Sequence, residues 1–426
     1  MKVVVTGMGV VCSIAQTVPA FTRALREGQC GIGPIPDAGD GGPRVAALVK
    51  DFKFADAVAA QGTLPEEVRQ LAVRTAHRSP EPLQMDLVAA MEAYGDAGLP
   101  DSAPPADRVG LVVAGHNLSS GYVQDLFTKY ENNPEYLPAR FALHYMDTDR
   151  VGTLSQVLGI KGEGYTVGGA SASGNVGIVN GSRLVETGAV DVCLVVGAST
   201  DLSPMEKRGL ATLGAVAGTG ADEPERARCR PFDVRHDGFV PGQGSACIVL
   251  ESERSARARG ADILAELAGY DLKLDANSMP DPHEDGETKV MAGAMAKAGV
   301  RPEQIDYVNA HATATPLGDE IEVRALVRVF GTAVGRPWVN ATKGLIGHCM
   351  CAAGVVEAVA SIIQLRDGFV HPNLNLRRPI DDGCRFVHGA AVPADIQYAL
   401  SNSFGFGGFN TSIVLRRPSH ASGAHG

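Results

Sequence analysis

An α/β layered fold around a buried sheet is what this sequence predicts, and three observations predict it. Short Val/Ile/Leu runs alternate along the chain with long Ala-rich stretches of helical periodicity. The apolar runs are continuous, as in strands covered on both faces. Aromatic residues are only 5% of the 426, with one Trp, which suits a small-residue interior of closely packed helices and strands better than an aromatic-rich sandwich.

In chain order, the buried-strand candidates are residues 3–6, 109–114, 190–197, 246–251, 307–310 and 411–415. The helical patterns run over 85–97, 174–187, 289–298, 320–330 and 352–365. Two stretches echo each other. Residues 86–98 form a helix followed by Leu-Pro, a polar spacer and the strand 109–113; residues 287–299 form a helix followed by Val-Arg-Pro, a spacer and the strand 305–308. Each leads to a glycine- and alanine-rich turn that opens a helix, at 167–174 and again at 340–348. The order predicts two similar halves, 1–255 and 256–417, meeting near 252–262 and sharing one core. Chance similarity among helix–strand units is the rival explanation. A polar tail, 418–426, is expected to fray.

At roughly 150 residues per domain the length allows a little under three domains and a large core. With 45% hydrophobic and 20% charged residues, Gly 51 and Pro 25, a disordered, collagen-like or disulfide-scaffold chain is excluded. Lys+Arg 38 against Asp+Glu 48 gives a net charge of −10, which argues against a nucleic-acid surface or an anionic membrane patch. The cysteines, Cys12, Cys30, Cys193, Cys229, Cys247, Cys349, Cys351 and Cys384, are scattered with no Cys-x-x-Cys spacing. They read as buried free thiols in a reducing compartment, with no metal site. No secretory signal pattern opens the chain, and the longest apolar stretch, 344–365, contains His348 and Glu357, so a buried helix is favoured over a membrane span. The expected setting is the cytoplasm.

Four motifs carry chemistry. In Gly168-Gly169-Ala170-Ser171-Ala172-Ser173-Gly174, small residues surround Ser171 where a strand gives way to a helix. There a helix N-terminus offers N–H groups and a positive dipole end to a nucleophile or an oxyanion. The plainer alternative, an N-cap at Ser171 or Ser173, has the better odds on spacing alone. His311-Ala312-Thr313-Ala314-Thr315 ends a buried strand before a helix opened by Asp319, Glu320 and Glu322. Lys343-Gly344-Leu345-Ile346-Gly347-His348 sits at the corresponding turn of the second half. A lone apolar-context histidine is usually a core residue, but two at strand ends beside a serine turn occupy the place where α/β folds put their sites. Ser403-Phe404-Gly405-Phe406-Gly407-Gly408-Phe409-Asn410 reads as a flexible loop before the last strand, an ordinary turn or a gate.

In this order and over this length, the motifs resemble the β-ketoacyl synthases of fatty acid and polyketide assembly. The resemblance runs from Val4-Val5-Thr6-Gly7-Met8-Gly9 through Arg230-Pro231-Phe232-Asp233 and Asp237-Gly238-Phe239-Val240 to the Phe404 segment. It implies a thiolase-like five-layered αβαβα fold and a homodimer. It also implies that His311 and His348 are the paired active-site histidines, Lys343 their companion and Phe404, with Gly405, the gate beside the oxyanion site. Thr313 and Thr315 match positions contacting a pantetheine arm; Glu357 and Asp319 stand as structural support. No intrinsic cofactor is implied, since phosphopantetheine arrives on the acyl carrier protein.

One departure matters most. The family's nucleophile is a cysteine, and position 171 is serine. Acyl loading needs a thiolate and should be crippled. Loss of carbon dioxide from a malonyl thioester needs only donors for the enolate oxygen, which two histidines can supply. The chain is thus similar to the serine-for-cysteine homologues of polyketide β-branching cassettes, which work beside a hydroxymethylglutaryl synthase homologue and supply acetyl-carrier protein. Gln243, within Gly-Gln-Gly, and Ala312, within His-Ala-Thr, are further departures. The alternatives are a condensing synthase, with the serine natural or introduced; a chain-length-factor-like subunit; and a carrier-protein-binding module without chemistry. Intact His311, His348 and Lys343 count against the last two. Arg226, Arg228 and Arg230, or Lys207 and Arg208, could dock a carrier protein or simply be solvated charge.

Overall fold

A computed structural model describes residues 1–35, 42–218, 224–277 and 280–418. Most of the predicted tail, 419–426, lies outside the described residues. Among the described residues, eleven strands form one continuous mixed sheet system: β1 (Val3–Cys12), β2 (Val109–Ala114), β3 (Gly164–Val167), β4 (Val192–Gly197), β5 (Gly244–Ser252), β6 (Ala265–Leu274), β7 (Tyr307–Asn309), β8 (Trp338–Asn340), β9 (Arg385–Phe386), β10 (Tyr398–Gly405) and β11 (Phe409–Arg416). The principal helices are α1 (Glu81–Asp96), α2 (Ser173–Glu186), α3 (Glu284–Ala298), α4 (Pro316–Phe330) and α5 (Ala353–Asp367).

Strand order exposes an internal repeat. The first half runs β1-β5-β4-β2-β3 and the second β6-β11-β10-β7-β8, with β9 added at the far edge. In both, the first two pairings are antiparallel and the next two parallel. The halves join where β1 meets β6, Val3 opposite Leu267. The chain crosses between them from Ser252 to Ala265 through one short helix, Glu253–Ala258.

Helices α2 and α5 lie between the two halves and touch strands of both; α1 covers β1 and β5 on one outside, and α3 covers β6 and β11 on the other. This is the thiolase-like αβαβα order. The central helices are buried nearly all round, so their sequences lack a polar face. They cross at Gly174 and Gly354, where a side chain on either would strike the other helix's backbone, 2.6 Å from Val355 N or from Asn175 N. One hydrophobic cluster takes residues from β1, β5, β6, α2 and α5 together.

The symmetry corrects one reading. The residue matching Ser171 in the second half is Cys351, not a member of the Lys343–His348 turn. Ala170 and Met350 both take a φ of 49°, and short 3-10 turns, Ala170–Ala172 and Met350–Ala352, lead into α2 and α5. Two further corrections concern strands. β1 extends six residues past the predicted end at residue 6, and the Ser403–Asn410 segment is not a loop. Ser403–Gly405 closes β10, Phe409 begins β11, and only residues 406–408 turn. All eight cysteines are free and seven are buried, Cys30 being partly exposed. Among the described residues, no helix is long and apolar enough to cross a membrane.

Candidate active site

Ser171 sits in the short turn before α2, and the N-cap question is resolved by its neighbour. Ser173 Oγ accepts from Gly169 N–H at 2.9 Å and donates to the Ala170 carbonyl at 2.6 Å, tying the turn from inside. Ser171 Oγ is left facing outward, 2.8 Å from His348 Nε2. The Ser171 carbonyl accepts from Ser403 Oγ at 3.1 Å, which fastens the turn to β10. Gly405 makes that approach possible: a Cβ there would lie 2.4 Å from the Gly169 carbonyl and 3.3 Å from Ser171 N.

His348 is clamped at the main chain, its N–H on the Val240 carbonyl at 2.7 Å and its carbonyl receiving Gly242 N–H at 2.8 Å. Its ring meets Phe239 edge to face, centroids 5.3 Å apart. His348 Nδ1 accepts from Met350 N–H at 3.2 Å. A neutral imidazole that accepts at Nδ1 carries its proton at Nε2, so the nitrogen facing Ser171 is a donor.

His311 follows β7 and is held twice. Glu322 on α4 receives His311 N–H at 2.9 Å and Ala312 N–H at 2.7 Å, and Asn402 Nδ2 also donates to it at 3.0 Å. Lys343 donates to the His311 carbonyl at 2.5 Å and lies 3.4 Å from His311 Nδ1. An ammonium at Nδ1 makes that nitrogen the acceptor and leaves Nε2–H for the cavity. Lys343 is itself buried and ion-paired with Glu357 on α5. The two imidazoles stand edge to face with centroids 5.7 Å apart. Burial holds both well below the ordinary histidine value, helped by the Lys343 charge and, for His311, by His348. The Glu357 carboxyl is pushed by burial up to about 7, against the pull of Lys343.

These groups open on a cavity of about 400 Å³ lined by Ser171, His311, His348, Thr313, Thr315, Phe404 and Gly405. Phe404 is buried, its ring 5.7 Å from that of His311. Thr313 and Thr315 are joined hydroxyl to hydroxyl at 2.9 Å. Lys343, Glu357 and Asp319 stand behind the lining. Asp319 receives Ala314 N–H at 2.9 Å and Phe232 N–H at 2.7 Å, holding the threonine loop against the 230–233 segment. Ala312 and Ala314 have φ of 24° and 65°, where glycine is the unstrained choice. Gln243 lies away from the cavity and accepts from Val49 N–H at 3.0 Å, a loop tie. Of the basic candidates, Arg228 and Arg230 are buried, which removes them from any docking surface; Lys207, Arg208 and Arg226 are exposed.

Sequence reasoning gave no site role to several lining residues: Glu287, Glu322, His116, Phe239, Met350, Cys351 and Asn410. The repeat could have found two. Gly115 N–H bonds the last residue of β3 and Ala310 N–H the last residue of β8, so His116 is the symmetry mate of His311, as Cys351 is of Ser171.

Residues 1–256 match the N-terminal domain of β-ketoacyl synthases and 264–377 the C-terminal domain. The chain is 37% identical over 97% of its length to the polyketide biosynthesis malonyl-ACP decarboxylase PksF of Bacillus subtilis, covering 96% of that protein. It is 32% identical over 98% of its length to 3-oxoacyl-(acyl-carrier-protein) synthase 2 of Coxiella burnetii, covering 98% of it. The ishigamide ketosynthase/chain length factor superposes with a TM-score of 0.85 at 29% identity, over 98% of this chain and 99% of that one.

Proposed function

Because the chain belongs to the β-ketoacyl synthase family, we propose that it decarboxylates a malonyl thioester on an acyl carrier protein, giving the acetyl thioester, instead of condensing acyl chains. The observation that carries this reading is a serine at 171, 2.8 Å from an imidazole nitrogen of His348 whose other ring nitrogen already accepts Met350 N–H. Condensation begins with acyl transfer to an activated nucleophile. A hydroxyl is far less acidic than a thiol, and His348 Nε2 cannot take its proton while Nδ1 is occupied as acceptor.

Decarboxylation asks less of the site. The bond between C2 and the carboxylate breaks, carbon dioxide leaves, and the electron pair moves through C2 onto the thioester oxygen. His311 and His348 then present two neutral N–H donors to that oxygen, preorganised by Lys343, Glu322 and the Val240–Gly242 clamp. Donors fixed in a water-poor cavity stabilise developing charge without reorganising. Thr313 and Thr315 would bind the pantetheine arm, and Phe404 would gate the channel. The relative named as a malonyl-ACP decarboxylase supports the assignment of substrate, carrier and reaction.

In this reading the acetyl product feeds polyketide β-branching beside a hydroxymethylglutaryl synthase-like enzyme. A second copy of the chain would extend the sheet at β3, an edge strand left partly exposed. A condensing synthase working through Ser171 is the second reading, favoured by the 2.8 Å contact with His348 and by the 3-oxoacyl synthase relatives. Mass spectrometry of the purified protein with malonyl-loaded carrier protein separates them. Loss of carbon dioxide with no mass added to the protein supports decarboxylation. A β-ketoacyl product, or an acyl group on Ser171, supports condensation.

A further inference from the structure

Decarboxylation leaves an enolate that must gain a proton at C2, so an acid has to stand within the cavity; this inference therefore rests on the reading above. Among the groups already assigned, the two histidines, Lys343 and Glu322 do not supply one. His311 and His348 are held neutral, and a neutral imidazole N–H stabilises an oxyanion without protonating carbon. Lys343 spends its protons on Glu357 and on the carbonyl and ring of His311. Glu322 accepts with both oxygens, from His311 and Asn402 on one and from Ala312 on the other.

Glu287 is different. It projects from the first turn of α3, is 1% exposed, and lines the same cavity as Ser171 and His311. Its Oε2 is buried with no hydrogen-bond partner. One turn on, Met291 Sδ accepts from Asn402 Nδ2 at 3.3 Å, and Asn402 in turn holds Glu322. Glu287 is thus one helical turn from the clamp that positions His311. We propose that Glu287 is the catalytic acid of the second step. Its O–H bond breaks as a C–H bond forms at C2 of the enolate, the enolate electron pair closes the thioester carbonyl, and solvent returns a proton to the carboxylate.

The surroundings favour a carboxyl that keeps its proton. Burial acts first, and Glu322 and Asp319 from α4, Asp275 from the end of β6 and Glu284 from its own helix add to it, all raising the carboxyl well above its ordinary value. The nearby cations, Arg324 and Arg328, pair with Glu284 and Asp285 instead.

The test measures acetyl-carrier protein formed from malonyl-carrier protein by the full-length wild type, Glu287→Gln and Glu287→Asp, across neutral and alkaline pH. The expected result is a kcat for Glu287→Gln lower by about 100-fold with KM unchanged, and partial recovery in Glu287→Asp. Wild-type kcat should fall as the pH rises through the raised Glu287 value, and Glu287→Gln should lack that limb. Retention of wild-type kcat and of the alkaline limb by Glu287→Gln would overturn the assignment while leaving decarboxylation standing. Should thermal unfolding show that Glu287→Gln does not fold, a folded Glu287→Ala that keeps wild-type kcat overturns it equally. A wild type that releases no carbon dioxide ends both readings at once.

Discussion

At the scale of single residues, activity should divide between donors and hydroxyl. Deleting one oxyanion-type donor costs about 2.7–4 kcal/mol, or 10²–10³ in kcat. His311→Ala and His348→Ala are therefore each expected to cut carbon dioxide release by that factor, and Ser171→Ala by less than about tenfold. Equal losses in all three would mean that the hydroxyl takes part in the chemistry. Ser171→Cys should gain a function: offered an acyl-carrier protein, it should acquire the mass of the acyl group, which the wild type does not. Ala312, at a φ of 24°, should be better as glycine; Ala312→Gly is expected to gain up to roughly 1 kcal/mol in urea unfolding. Ser171, His311 and His348 stood out near strand ends, but spacing alone favoured a cap at Ser171 and core histidines; their roles, and that of Lys343, came from the family resemblance. Glu287 was not legible. Glu284, Asp285 and Glu287 all look like acids placed at a helix N-terminus for the dipole, and only packing against α4 and β6 buries the third.

At the scale of elements, the long buried pieces could be read and the short ones could not. The last strands of the two repeats, β3 and β8, have four and three residues, too few for a period to show. β1 appeared to stop at Gly7, yet Gly7 and Gly9 continue it beneath α1, where a Cβ would lie 2.3 Å or less from the Ala93 and Ala89 carbonyls. That junction also holds Glu92 of α1, whose carboxylate receives Val10 N–H at 2.9 Å and Val18 N–H at 2.7 Å. Burial pushes this carboxyl up to about 7 from 4.5. The folded protein then holds a proton that the unfolded chain has lost between those values, so stability falls as the pH rises through that window, by up to roughly 3 kcal/mol. Urea unfolding at the two ends of the window should show this slope, and Glu92→Gln should flatten it. At the crossing of α2 and α5, Gly354→Ala should cost about 1–3 kcal/mol in thermal unfolding, because neither central helix can move without disturbing both halves.

At the scale of the molecule, two copies of one strand order make a single interior, and the site forms where their central helices begin. The repeat was visible as helix–strand units, but its register was not. Matching His348 to Ser171 by their turns hid the true mates, Cys351 and His116, because the second half inserts the Lys343–Ile346 helix before the shared 3-10 turn. The duplication also accounts for the division of labour proposed here: the first half brings the serine and the second brings both histidines and the lysine to one cavity. The decisive measurement is intact-protein and carrier-protein mass spectrometry over a single incubation of the wild type with malonyl-carrier protein and an acyl-carrier protein primer. The expected result is conversion of malonyl- to acetyl-carrier protein, with the enzyme's mass unchanged and the primer untouched. Elongation of the primer, or malonyl-carrier protein recovered intact, would contradict it.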